Sequence, residues 1–398
     1  LRHYVFIYPQ IKRLTGAQRL ILELAGAITA LPEQPGRVTL LTHRFAAECR
    51  PALPASVGLI ETGHNLNLTG NHYLDSLVEY GAVPGLLGHL SADTTAICFF
   101  GPPSLPGLWW AKKIRRLKIP LLYFCYEPPR AAYTDRTVVS RRMGKLGWLF
   151  GPLLWLYRPL DRYLARQAGK VLVNGEYGRQ LICETYGLDS TIITHGAELK
   201  LTANIEQQVA QLRERYGIAS KSLILTVNHL HPRKRIELLL QAMPAILARY
   251  PQTLALIVGQ GAEEANLRSL AAQLGLADKV IFAGFVPDEE LAAYYAAADV
   301  YAHTGRAESF GLSVLEASAA GLPVVAVNEG GPREIVVEAE TGFLVEATPA
   351  ALAEKIIRLL ADPQLARRMG QAGQTRVQTR YTWEQGARDF EQAVKVLI

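Results

Sequence analysis

The stretch "AESFGLSVLEASAAGLPVVAVNEGG" runs from Ala307 to Gly331. It reads as a small Ser-Phe-Gly turn, a helix, a Gly-Leu-Pro break and an apolar β-rich run. A strand-like "VYAHT" (300–304) precedes it. Strand, helix and strand in that order, with both strands nearly continuously apolar, call for a parallel pair covered on both faces. Two glutamates, Glu308 and Glu316, flank the turn. A helix N-terminus attracts anions, so two readings stand: a capping and a surface carboxylate, or a pair placed around a bound phosphate.

The same alternation extends in both directions. "SLILTVN" (222–228), "TLALIVG" (253–259), "KVIFAG" (279–284), "PVVAVN" (323–328) and "GFLVE" (342–346) form one series. "HYVFIY" (3–8), "RVTLLT" (37–42), "TTAICFF" (94–100), "PLLYFCY" (120–126), "KVLVN" (170–174) and "STIITHG" (190–196) form an earlier one. Amphipathic stretches separate them. The expected fold class is α/β, with two Rossmann-like, doubly wound parallel-sheet domains facing a cleft. The expected boundaries are 1–198 and 199–375, with 376–398 as a helix crossing back to the first domain.

Length and composition agree. With 398 residues, 49% hydrophobic and 20% charged, the chain has material for two or three cores and is no disordered tail. Charge is uneven: 22 Lys and Arg against 14 Asp and Glu through residue 198 (+8), then 20 against 22 (−2). The excess gathers in "KKIRRLK" (112–118) and "RAAYTDRTVVSRRMGK" (130–145). It serves solubility or attraction to an anionic membrane or acidic acceptor. No zinc-finger, RNP or basic-zipper pattern accompanies it, which argues against nucleic acid. The four cysteines, Cys49, Cys98, Cys125 and Cys183, are scattered and read as buried free thiols of a reducing compartment.

No charged and apolar leader precedes the first strand, so a cytoplasmic protein is expected. Asn67-Leu68-Thr69 is a sequon that would be inert there. "GWLFGPLLWLY" (147–157) is too short to span a bilayer; it suits either core packing or an interfacial segment on a membrane's inner face.

Three places carry chemistry. Gly16, in "LTGAQRLILEL", opens a helix whose free N–H groups can face a phosphate, although G-x-G-x-x-G and G-x-x-x-x-G-K-[ST] are both missing. In "VNHLHPRKRIELLLQAM" (227–243) a strand ends and a helix starts near Lys234; His229, His231, Arg233, Lys234 and Arg235 could clamp a diphosphate. In the opening stretch a helix starting near Ser309 would aim the N–H groups of Phe310, Gly311 and Leu312 at an anion. Glu316 would then reach back to a ribose and Glu308 would stand on the anion's other side. No two aspartates lie two positions apart, and no histidine pair has zinc-site spacing, so no metal site is expected.

Taken together, these segments resemble glycosyltransferase family 4, the retaining GT-B enzymes, over nearly the whole chain. "TGAQRLILELA" is similar to the family's first turn and helix, "KVLVNGEYGRQLICETYGLDSTIITHGAE" to the end of its N-domain, and "ESFGLSVLE" to its E-x7-E motif. "EASAAGLPVVAVNEGG", "TGFLVE" and "YTWEQGA" follow in family order. The resemblance implies that Lys234, with Arg233 near it, binds and neutralises the donor diphosphate. It implies that Glu308 holds the donor sugar and supports charge at its anomeric carbon. Phe310, Gly311 and Leu312 would offer backbone donors, Glu316 would hold the ribose, Val286 would lie by the base, and Gly16 would meet the phosphates when the cleft closes. His229 stands where the family has an arginine. Tyr126 and Glu127 stand where it often has a histidine, and with Arg130 they form the expected acceptor side. Pro-Pro-Arg (128–130) is similar to a mannosyltransferase subset.

The function implied is transfer of a hexose, mannose favoured, from a nucleotide-diphosphate sugar, GDP-mannose before UDP-sugars, to a lipid-linked or saccharide acceptor. No cofactor is implied. The departures at His229 and Tyr126 leave one alternative, a catalytically silent nucleotide-sugar-binding partner protein of the same fold.

Overall fold

The computed structural model describes residues 1–66, 72–133, 147–197, 199, 204–218 and 221–398. The sequon at 67–69 and most of the basic run 130–145 lie outside them. Two compact units result: Leu1–His195 with Trp383–Ile398, and Gly196–Thr382.

The first unit holds a seven-stranded parallel sheet in the order β5-β3-β1-β6-β7-β8-β9. Its strands are β1 (His3–Ile7), β3 (Arg37–Thr42), β5 (Gly58–Glu61), β6 (Ala96–Phe100), β7 (Leu121–Phe124), β8 (Lys170–Val173) and β9 (Ser190–Ile192). A two-stranded parallel pair, β2 (Gln10–Ile11) with β4 (Arg44–Phe45), extends it. The apolar continuity of β1 has a simple cause. Successive side chains point to opposite faces, so Tyr4 and Phe6 enter one core and Val5 and Ile7 another.

The first core is closed by the helix Trp383–Lys395, which packs on the helix Gly16–Thr29. Phe390 sets its ring against Tyr4 at 5.3 Å and Phe6 at 5.4 Å. Buried Glu391 accepts hydrogen bonds from Tyr4 Oη at 2.5 Å and Arg2 Nη1 at 2.7 Å. A side chain at Gly386 would place Cβ 2.2 Å from the Thr194 carbonyl oxygen, so only glycine fits.

The second unit has a six-stranded parallel sheet, β12-β11-β10-β13-β14-β15. Its strands are β10 (Ser222–Val227), β11 (Thr253–Val258), β12 (Val280–Gly284), β13 (Val300–His303), β14 (Val324–Val327) and β15 (Gly342–Val345). The chain order reverses between β10 and β13, the switch point at which open α/β sheets bind ligands beyond their strand ends.

The unit boundary differs from the expected one. The helix Pro363–Arg380 runs through position 376 without interruption, Val377 is buried in the second unit's core, and Tyr381 Oη donates to the Glu334 carbonyl at 2.7 Å. The chain therefore leaves that unit only after Thr382. The cysteines also differ in part: Cys49, Cys98 and Cys125 are buried, but Cys183 is exposed on the helix Glu176–Tyr186. No helix among the described residues is long and apolar enough to cross a membrane.

Candidate active site

Two loops leave the carboxyl ends of β10 and β13, and backbone contacts join them. Thr304 Oγ1 donates to the Lys234 carbonyl at 2.7 Å, and the Arg306 N–H donates to the Arg233 carbonyl at 2.8 Å. Arg235 completes the seam. Its guanidinium donates to the carbonyls of Thr304 (2.9 Å) and Gly305 (3.3 Å) and to Glu329 Oε1 (3.1 Å). Arg235 is therefore a brace between the two loops, a role its place in the basic cluster did not suggest.

The helix after β10 begins at Ile236, two residues later than expected. Pro232–Lys234 forms a 3-10 turn, capped by His231 Nδ1 accepting from the Arg233 N–H at 3.2 Å. Arg235 then adopts a left-handed conformation (φ 48°), which separates turn from helix. This puts Lys234 at the tip of the turn. His229 is exposed on the same loop. Beneath it, a Cβ on Gly259 would stand 1.8 Å from the Asn228 carbonyl oxygen, and one on Gly261 2.2 Å from that of Leu230.

Lys234 Nζ donates to Glu308 Oε1 at 2.5 Å, with both side chains largely enclosed (16% and 13% exposed). Glu308 is thus no helix cap. Its loop is pressed against "GG" at 330–331: a Cβ on Gly330 would come 2.5 Å from the Glu308 carbonyl oxygen, and one on Gly331 2.4 Å from Phe310 Cα. Ala307 takes φ 49° just before the carboxylate, a conformation rare without glycine.

The following helix is Leu312–Ala319, three residues later than expected, because Gly311 (φ 102°) is its N-cap. No side chain caps it, so the N–H groups of Leu312 and Ser313 are its open first-turn donors. The Phe310 ring is buried, 6.1 Å from that of Tyr381, which leaves only its backbone to a ligand. Glu316, in the second turn, accepts from Tyr295 Oη at 2.7 Å. Val286 is buried in the core, whereas its neighbour Phe285 is 68% exposed beyond β12.

His303 is a feature that sequence reading passed over. It ends β13, is completely buried, and neither ring nitrogen has a hydrogen-bond partner. Burial lowers its pKa to about 4; Glu308 pulls it up, while Lys234 and Arg235 push it down. Only the order "strand, His-Thr-Gly, Glu" hinted at it.

In the first unit, Gly16 opens the helix Gly16–Thr29, with Thr15 as N-cap and the Gln18 amide oxygen accepting from the Thr15 N–H at 3.2 Å. Tyr126 lies beyond β7, stacks near Phe100 (6.4 Å between centroids), and donates to the Ala17 carbonyl at 3.2 Å. Burial pushes its phenol well up. Tyr126 thereby pins the first turn that Gly16 begins. Glu127 and Arg130 form an ion pair with each other.

The arrangement in the second unit offers an ammonium and two backbone donors to an anion, and carboxylates to hydroxyl groups. Comparison with known proteins gives the family. Residues 208–376 match the family model "Glycosyl transferases group 1". A GDP-mannose-dependent alpha-(1-6)-phosphatidylinositol monomannoside mannosyltransferase of Mycolicibacterium smegmatis is 34% identical over 270 residues, 65% of this chain and 70% of that protein. The sucrose-phosphate synthase of Thermosynechococcus elongatus superposes with TM-score 0.76 at 24% identity, over 100% of this chain and 99% of that one. Anabaena HepE in complex with UDP does so with TM-score 0.73 at 21% identity, over all of both chains. The chain belongs to the group 1 glycosyltransferases, and it is a glycosyltransferase of GT-B fold.

Proposed function

We propose that this enzyme is a retaining, metal-independent mannosyltransferase that uses GDP-mannose and a lipid-linked or saccharide acceptor at the cytoplasmic face of a membrane. The observation that carries the reading is the Lys234–Glu308 pair on the loops beside the uncapped helix at Leu312. Lys234 and that helix end supply the positive charge a departing diphosphate needs. Glu308 shares its carboxylate with Lys234, which suits electrostatic support of the anomeric carbon better than nucleophilic attack. With no covalent intermediate on Glu308, the acceptor attacks the face that the diphosphate leaves, and the configuration is retained.

The donor reading is supported by the name of the M. smegmatis relative and by Pro128-Pro129-Arg130. The acceptor reading is supported by that name and by one surface. On the helix Gly147–Ala165, Trp155, Leu156, Leu160 and Tyr163 are 48–68% exposed, with Arg162 and Arg166 exposed beside them. The helix Leu105–Trp109 packs against it, and just past that helix stand exposed Trp110 and Ile114 among Lys112, Lys113 and Arg115. Aromatic and basic side chains together suit an anionic interface.

The test is incubation with GDP-mannose, UDP-glucose, UDP-N-acetylglucosamine and ADP-glucose in EDTA, reading nucleotide release and thermal shift. Release from GDP-mannose alone is expected. Stabilisation without release, even after lipid extract is added, would favour the silent binding protein. Flotation with anionic liposomes tests the surface; equal recovery with neutral liposomes would sink it.

A further inference from the structure

Lys234 is a charged partner of Glu308, yet the same ammonium is the group a diphosphate would draw away. His303 sits next to this exchange. Its ring is wholly buried and both nitrogens lack partners, so one N–H is held away from water with nothing to receive it. Buried donors in native proteins nearly always have an acceptor, so an orphan beside a binding site calls for one. The nearest gap points to that partner. A Cβ on Gly305 would stand 2.8 Å from His303 Nε2 and 2.9 Å from Glu308 Oε1. Because residue 305 is glycine, no side chain separates ring and carboxylate. The charged groups that act on the ring are Glu308, Lys234 and Arg235, and Arg235 is already committed to two carbonyls and Glu329.

We propose that His303 is the positioning residue for Glu308: when a donor diphosphate takes Lys234, the Glu308 carboxylate turns past Gly305 and accepts the Nε2–H of the neutral His303 imidazole. The exchange leaves no charge and no ring N–H orphaned; the Nδ1 lone pair alone stays without a partner. Lys234 gains phosphate, His303 gains its missing acceptor, and Glu308 keeps one donor while its other oxygen faces the sugar. No proton changes owner. The neutral state of the ring, which burial favours down to about pH 4, makes it a donor that does not compete with Lys234 for charge. This inference rests on the reading of the Lys234–Glu308 site as a donor-sugar site.

The test uses three replacements that separate the nitrogens. The amide nitrogen of glutamine reaches the position of Nε2, that of asparagine the position of Nδ1, and phenylalanine keeps the ring shape alone. Full-length protein is assayed for GDP release from GDP-mannose and, separately, for GDP binding. His303→Gln is expected to keep kcat within about threefold, while His303→Asn and His303→Phe lose about tenfold or more, all three with GDP affinity within about twofold. Gly305→Ala, which fills the gap, is expected to behave as His303→Phe does. Equal loss in the Gln and Phe variants, or full activity in His303→Phe, would overturn the proposal while leaving the function intact. No release by the wild type from any of the four nucleotide sugars, with lipid extract added, would overturn both.

Should a variant fail to fold, histidine-15N spectra of the wild type decide. An Nε2–H resonance that moves downfield when GDP-mannose is added is expected, and an Nδ1–H tautomer would overturn the proposal.

Discussion

Lys234 Nζ lies 2.5 Å from Glu308 Oε1 and so links the loops that leave β10 and β13, the two central strands of the second sheet. Each residue is the other's counter-ion in the free enzyme. Removing one takes a close counter-charge from the other, which is largely enclosed, so single and double variants will not add.

Lys234→Ala is expected to weaken GDP binding by about tenfold or more, and Glu308→Gln to lower turnover by about tenfold or more with the fold intact. Calorimetric titration and release assays on both single variants and the double variant check this. Additive effects on binding would show that the pair is not coupled.

Gly331→Ala drives a methyl group into Phe310 Cα and its carbonyl oxygen, each 2.4 Å away. Backbone cannot yield as a side-chain end can, so urea unfolding is expected to show a loss of about 2–4 kcal/mol, with turnover falling alongside. Wild-type stability would mean that the loops do not press together as described.

Arg235→Lys is expected to fail as a conservative change. One ammonium cannot span the Thr304 and Gly305 carbonyls and Glu329, which the guanidinium fork reaches together. Loss of about 1–3 kcal/mol by denaturation is expected, with a matching fall in GDP affinity. A lysine variant equal to wild type would remove the brace.

Tyr295→Phe deletes the 2.7 Å hydrogen bond to Glu316 and a longer one, 3.4 Å, to the Ser313 carbonyl, while the ring keeps its place against Tyr301. Weaker nucleotide binding by a factor of about 3–10 is expected, with stability down by about 1 kcal/mol. Unchanged affinity would separate Glu316 from the nucleotide.

His303 gives a pH dependence of known sign. Its imidazole titrates near pH 4 when folded and near 6.5 when unfolded, so the unfolded chain binds more protons between those values. Stability from this group is therefore present above pH 6.5 and is lost as pH falls towards 4, by roughly 3 kcal/mol in all. Denaturation of the wild type and His303→Phe at pH 7 and pH 4.5 checks this. The variant is expected to lose less on acidification.

The strands were legible because both faces of each sheet are covered: the runs around Tyr4–Ile7 and Leu223–Leu225 are apolar at every position. β5 was missed because Gly58–Glu61 is an edge strand with half-exposed residues and no such run. Lys234, Glu308 and Glu316 were visible through the order and spacing of their motifs. His303, the bracing part of Arg235 and the Gly330–Gly331 pair were not, since each draws its role from a contact with a segment distant in sequence. Helix starts shifted by two and three residues because left-handed Arg235 and Gly311 delay them. Only the glycine could have announced itself.

The buried Phe390 and Glu391 have one more consequence, in the order of events on the ribosome. Residues 196–382 emerge as an uninterrupted unit and can fold as soon as they are clear. Residues 1–195 leave the tunnel first but lack the helix that fills the slot between Tyr4 and Phe6. The half that is made first is thus completed last, and its open slot is where a holding chaperone would be needed during synthesis.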